Sequence, residues 1–162
     1  MTAGSSADRR RKESRLNRHF HGFYFKQSAK DHAIALVAAI GQDAQGHSFA
    51  SIQVVLPDET FSVPFAPESA HFSPSGPDIR FGENRLNASG FSVNLEGSGH
   101  SVRGALRFGP LARPDHDIMG PFRLFPFMEC RHHLISMAHE VIGRLIVDGT
   151  EWNFNGALGY IE

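Results

Sequence analysis

The stretch FSVNLEGSGHSVRGALRF, residues 91–108, decides the fold class. Phe91, Val93 and Leu95 alternate with Ser92, Asn94 and Glu96, the period of a strand with one buried face. Gly97-Ser98-Gly99 then breaks the run as a turn. Val102, Gly104, Leu106 and Phe108 resume the alternation against Ser101, Arg103, Ala105 and Arg107. Two alternating runs around a short Gly-rich break predict a β-hairpin.

The same pattern recurs on both sides. Val141, Gly143, Leu145 and Val147 alternate up to Asp148-Gly149, and Trp152 and Phe154 follow. Asp-Gly between such runs is a strong hairpin signal, because both central positions of the tight turn need positive φ. Upstream, Phe20 to Gln27 is aromatic and alternating, and Ala33 to Gly41 reads as a strand buried on both faces. Phe49 to Leu56 is a further strand. Phe61, Val63 and Phe65 alternate around Pro64, which predicts an edge strand because proline cannot donate to a ladder. Ile79 to Phe81 is a short strand, and Ala66 to Pro77, with three Pro and one Gly, is expected to be irregular. No capped amphipathic helix of three turns is visible. About ten short-linked strands predict an all-β chain, an antiparallel meander curling into a partial lipocalin-like barrel or sandwich.

The chain has 162 residues, enough for one domain with a real core. Its formal net charge is −1, which argues against a nucleic-acid partner. Phe supplies 14 residues, suited to a β core or a greasy pocket. Cys130 is the single cysteine, so no disulfide forms within the chain. Residues 1–17 are polar and basic, with Arg9-Arg10-Arg11-Lys12 and no apolar core, so they lack the secretory pattern. They read as a disordered solvated tail ahead of a domain at 18–162, or as a docking patch for an anionic membrane surface. A cytoplasmic protein, peripheral to membrane in the second case, is the expectation.

Met128 to Glu140 is read as a strand, because its His and Met settle on no helical face. Alternation then places Cys130, His132, Leu134, Ser136 and Ala138 on one face, and Glu129, Arg131, His133, Ile135, Met137 and His139 on the other. Cys130, His132 and Ser136 would suit a pocket wall. Glu129 and Arg131, roughly 7 Å apart along the strand, read as a surface ion pair. Three His within eight residues invite a metal. His132 and His133 point to opposite faces, however, and no carboxylate stands at a ligand spacing, so no metal is expected.

Several motifs resemble the tocopherol cyclase-like family, a lipocalin-like group related more distantly to carotenoid hydratases. They are GFYFK at 22–26, DIMGPF at 117–122, PFMECRH at 126–132, SMAH at 136–139 and GYIE at 159–162. In that family an acidic residue, a Gly, a Ser-Phe-Pro motif and a second barrel half follow the last motif. The resemblance therefore implies the N-terminal half of a longer protein, with its C-terminal half as intramolecular partner and a last strand left as an exposed edge near Trp152, Phe154 and Leu158. It also implies acid-catalysed cyclisation, or hydration, of a prenylated hydrophobic substrate, without a cofactor. Glu162 resembles the Glu at the family's pocket mouth, and would be the proton donor together with Asp117. Protonating an alkene requires a carboxyl kept neutral by an apolar site. Aromatic faces then stabilise the cation. Phe122, Phe127, Trp152 and Tyr160, with Cys130, His132 and Ser136, would line the substrate. Asp117 also reads as a turn-former before Gly120-Pro121. Two other functions stand beside the cyclase: a non-catalytic binder of an isoprenoid or lipid, and a β-sheet interaction scaffold. A buried protonated carboxyl in a greasy pocket marks the cyclase; such a pocket without the acid marks the binder; no concave pocket marks the scaffold.

Overall fold

The computed structural model describes residues 20–43, 45–113 and 134–162. The basic arm, the Glu129–Arg131 pair and the candidate site residues Asp117, Phe122, Phe127, Cys130 and His132 lie outside them.

The described residues form twelve strands in one antiparallel sheet. They are β1 (Phe20–Ser28), β2 (Ala33–Gln42), β3 (Ser48–Val55), β4 (Thr60–Phe65), β5 (Ala70–Phe72), β6 (Asp78–Phe81), β7 (Asn84–Asn87), β8 (Gly90–Gly97), β9 (His100–Phe108), β10 (Ser136–Val147), β11 (Thr150–Asn153) and β12 (Ala157–Ile161). The spatial order is β4-β3-β2-β1-β12-β10-β9-β8-β7-β6-β5, with β11 on β10. The sheet curls into a nearly closed barrel whose one seam lies between β4 and β5. Pro64 is on β4, at that edge.

The two hairpins form as their sequences predict. Ser98 and Gly99 have φ of 54° and 84°, and Asp148 and Gly149 have 49° and 81°. Inward positions follow the alternation, so Phe25, Leu36, Ile52, Val93, Leu106 and Leu145 are buried. Curvature needs small residues where neighbouring strands crowd together. Gly143, at φ 137°, is such a place: a Cβ there would run into the Ala105 carbonyl oxygen on β9.

Three expectations are corrected. The segment 66–77 is not wholly irregular: Pro67–Ser69 forms a 3-10 turn and β5 follows it. Its backbone pairs with β6, Phe72 opposite Ile79, and the Phe72 ring packs edge-on against Phe81. The last strand does not present an open edge. β12 lies between β1 and β10, and Tyr24 and Glu162 exchange both backbone hydrogen bonds, at 2.7 and 3.0 Å. Strict alternation through β10 also fails. From Ser136 to His139 the chain advances three residues while its partner moves two, from Ile161 to Gly159. That β-bulge turns both Ser136 and His139 inward.

Candidate functional site

The inner face is buried at one end of the barrel and partly open at the other. Val54, Phe61, Leu95, Val102, Val147 and Phe154 seal the end that carries the two tight hairpins. At the opposite end the inward side chains Phe23, Ile40, Phe65, Phe72 and Phe108 are only partly buried. Phe72 reaches over to β1, where its ring lies 6.3 Å from Phe23 and 5.2 Å from His21. An open apolar pocket of about 270 Å³ marks this rim, lined by His21, Ile40, Gly41, Gln42, Ser48, Phe49 and Pro67. This Phe-rimmed open end is the barrel's cup, and the pocket at its rim shares only Ile40 with those inward side chains.

Buried in the barrel interior, away from that pocket's lining, lies a polar row across three adjacent strands. Gln27 on β1 and His139 on β10 each stand opposite Gly159 on β12. Gln27 is 0% exposed and His139 3%. A Cβ on Gly159 would collide with both His139 Nε2 and Gln27 Oε1, so the missing side chain makes their room. His139 Nδ1 is 3.0 Å from Ser136 Oγ, which donates to the Ala138 carbonyl at 3.1 Å. The Phe108 ring lies against the imidazole, 4.4 Å between centroids, and neighbours Phe25 and Phe91.

What sets this row apart is unmet hydrogen bonding. Gln27 Nε2, Gln27 Oε1 and His139 Nε2 are buried with no partner among the described residues. A buried polar group without a partner costs on the order of 1–3 kcal/mol. Asn84 shows the ordinary structural solution: it too is buried, but it donates to the Phe81 carbonyl and accepts from the Asn94 N–H. Burial pushes the His139 pKa down, so its imidazole is neutral at pH 7.

A second cluster caps the sealed end. His100, at the start of β9, places Nε2 2.7 Å from Glu59 and Nδ1 2.9 Å from Asp148, and stacks on Phe61. Hydrogen bonding to Asp148 and the two carboxylate charges raise its pKa, while Asp148 is lowered by His100 and the Ser101 N–H. The three side chains bring ligating atoms within 4.8 Å of one another. Each imidazole nitrogen already faces its own carboxylate, so the geometry is that of a bridging imidazolium. It fastens the turn before edge strand β4 to two hairpins.

The other predicted site residues disperse. Ser136 joins the row. Trp152 stands at the sealed end beside His32, 4.9 Å between ring centroids. Tyr160 and Glu162 lie on the outer face, opposite in direction to Ile161: Tyr160 packs on Tyr24 and donates to Glu162 at 2.9 Å. Glu162 is thus not an acid held inside the cup, because its place in the strand alternation turns it outward. Gln27 and Gly159 were not singled out from the sequence, although each occupies an inward position: Gln27 follows Phe23 and Phe25, and Gly159 stands between Ala157 and Ile161.

Compared with protein-family models, curated proteins and solved structures, the chain matches none. Among the described residues, no helix is long and apolar enough to cross a membrane.

Proposed function

We propose that this protein is a lipocalin-like binder of a small hydrophobic ligand. The ligand's apolar body lies among Phe23, Phe72 and Phe108, and its polar end meets Gln27 and His139. The observation that carries the reading is the set of three buried polar atoms in a Phe-walled interior that have no partner among the described residues. A site that is unsatisfied when empty is satisfied by what it binds. The cyclase expectation asks for a neutral carboxyl in the cup. Among the described residues the buried polar side chains are Gln27, Asn84, Ser136 and His139, none of them an acid, which favours binding over ring closure.

The test is titration of the whole chain with N-phenyl-1-naphthylamine, a neutral dye that brightens in apolar sites. Saturable brightening is expected, weakened by Ile40→Arg at the rim. Uptake that never saturates, or that ignores the rim substitution, would refute the proposal.

A further inference from the structure

Proton positions around His139 restrict what the polar end of a ligand can be. Ser136 has one hydroxyl proton and two neighbours, the Ala138 carbonyl at 3.1 Å and His139 Nδ1 at 3.0 Å; the assignment that makes both contacts hydrogen bonds gives that proton to the carbonyl. Its Oγ therefore approaches His139 Nδ1 as an acceptor, at 3.0 Å, so Nδ1 carries the proton. A neutral imidazole with a protonated Nδ1 has a bare lone pair on Nε2. That is the buried nitrogen without a partner among the described residues. A ligand that bonds this nitrogen brings a donor to it. Gln27, whichever way its amide is turned, offers one donor group and one acceptor in the same small space above Gly159.

We infer that the cup selects ligands ending in an uncharged hydroxyl, which donates to His139 Nε2 and accepts from the Gln27 amide. This rests on the binding role proposed above. A hydroxyl both gives and takes one hydrogen bond, which matches the row. An ether or a ketone accepts only, and would set its lone pairs against that of Nε2. A carboxylate also only accepts, and among the described residues its charge meets no cation there: the buried neighbours Phe25, Ile34, Ile161, Ser136 and Gln27 are all uncharged. Burying an unpaired charge is far costlier than burying a hydroxyl. The sequence hides this device because Ser136 and His139 reach each other only through the bulge that puts them on one face.

The experiment displaces N-phenyl-1-naphthylamine from the full chain with 1-decanol, decyl methyl ether or decanoate. The alcohol is expected to compete at a concentration about tenfold or more below the other two, in line with one unpaired buried polar group. In Gln27→Leu and His139→Phe the three should converge to within about twofold. Equal competition by all three in the wild type, with the dye still binding saturably, overturns hydroxyl selection and leaves the binder standing. Failure of the dye and all three compounds to bind overturns both. Nitrogen-15 spectra of the wild-type imidazole serve even where a variant does not fold. A protonated Nδ1, with the Nε2 resonance moving upfield as decanol is added, agrees with the inference; a free protein protonated at Nε2 refutes it.

Discussion

Replacing Gln27 by Met should make the empty protein more stable and a poorer binder. Gln27 is 0% exposed, and both of its amide atoms lack partners among the described residues. Each such group costs about 1–3 kcal/mol through lost solvation. Met follows nearly the same path with no hydrogen bonds to lose, and a swap of similar volume costs under about 1.5 kcal/mol. Two such groups cost about 2–6 kcal/mol, so after the swap's cost the balance is a gain of about 0.5–6 kcal/mol. For a chain of this length each kcal/mol shifts Tm by roughly 2–4 °C, so a rise of at least about 1 °C is expected. Urea titration should move the midpoint upward at unchanged slope, which separates stability from altered compactness. Asn84→Leu is the contrast. It strands the Phe81 carbonyl and the Asn94 N–H, and should cost about 1–3 kcal/mol. A Gln27→Met protein that melts several degrees lower would mean that Gln27 is bonded within the fold, and the reasoning would fail.

Gly159→Ala forces a Cβ into His139 and Gln27. Overpacking of about 1–3 kcal/mol, less about 0.4–1 kcal/mol gained from a stiffer unfolded chain, should lower Tm and weaken dye binding together; unchanged binding would mean that the row is not in the ligand's path. The His100 bridge makes stability depend on pH with a defined sign. His100, raised above its usual 6.5, contributes fully below that value and loses its contribution as pH rises through the folded pKa. Asp148, lowered from 3.8, contributes above that value and loses its share as pH falls through its own folded pKa. The urea midpoint of wild type relative to His100→Asn should therefore peak between those two values and shrink on either side; a constant difference would contradict the bridge. Glu162→Gln changes an outer-face residue, so ligand affinity should stay within about twofold by competition; a loss of tenfold or more would put Glu162 back in the site.

Strand alternation and turn chemistry made most of the barrel legible. The two tight hairpins, the doubly buried β2 and the edge position of Pro64 all follow from local sequence, because side-chain period and positive φ are local properties. β5 was hidden, since its pairing with β6 is only three residues long and its Phe72 ring stacks on Phe23, distant in sequence. The placement of β12 between β1 and β10 was hidden for the same reason: closure of a barrel is a long-range event. The site was legible only in pieces. Ser136 was singled out as a pocket residue, but an alternation argument assigns His139 to the opposite face, and one extra residue in the strand reverses that. Gln27 and Gly159 carry their meaning only as a row, and the register that aligns them with His139 spans most of the chain.

The most direct measurement is a two-dimensional NMR titration of the full chain with 1-decanol. The Gln27 side-chain amide, the Gly159 backbone amide and the His139 ring should shift together, saturably, with one dissociation constant. Shifts confined to the outward side chains of Tyr24, Tyr160 and Glu162, or an interior row that stays still while decanol binds elsewhere, would contradict the account.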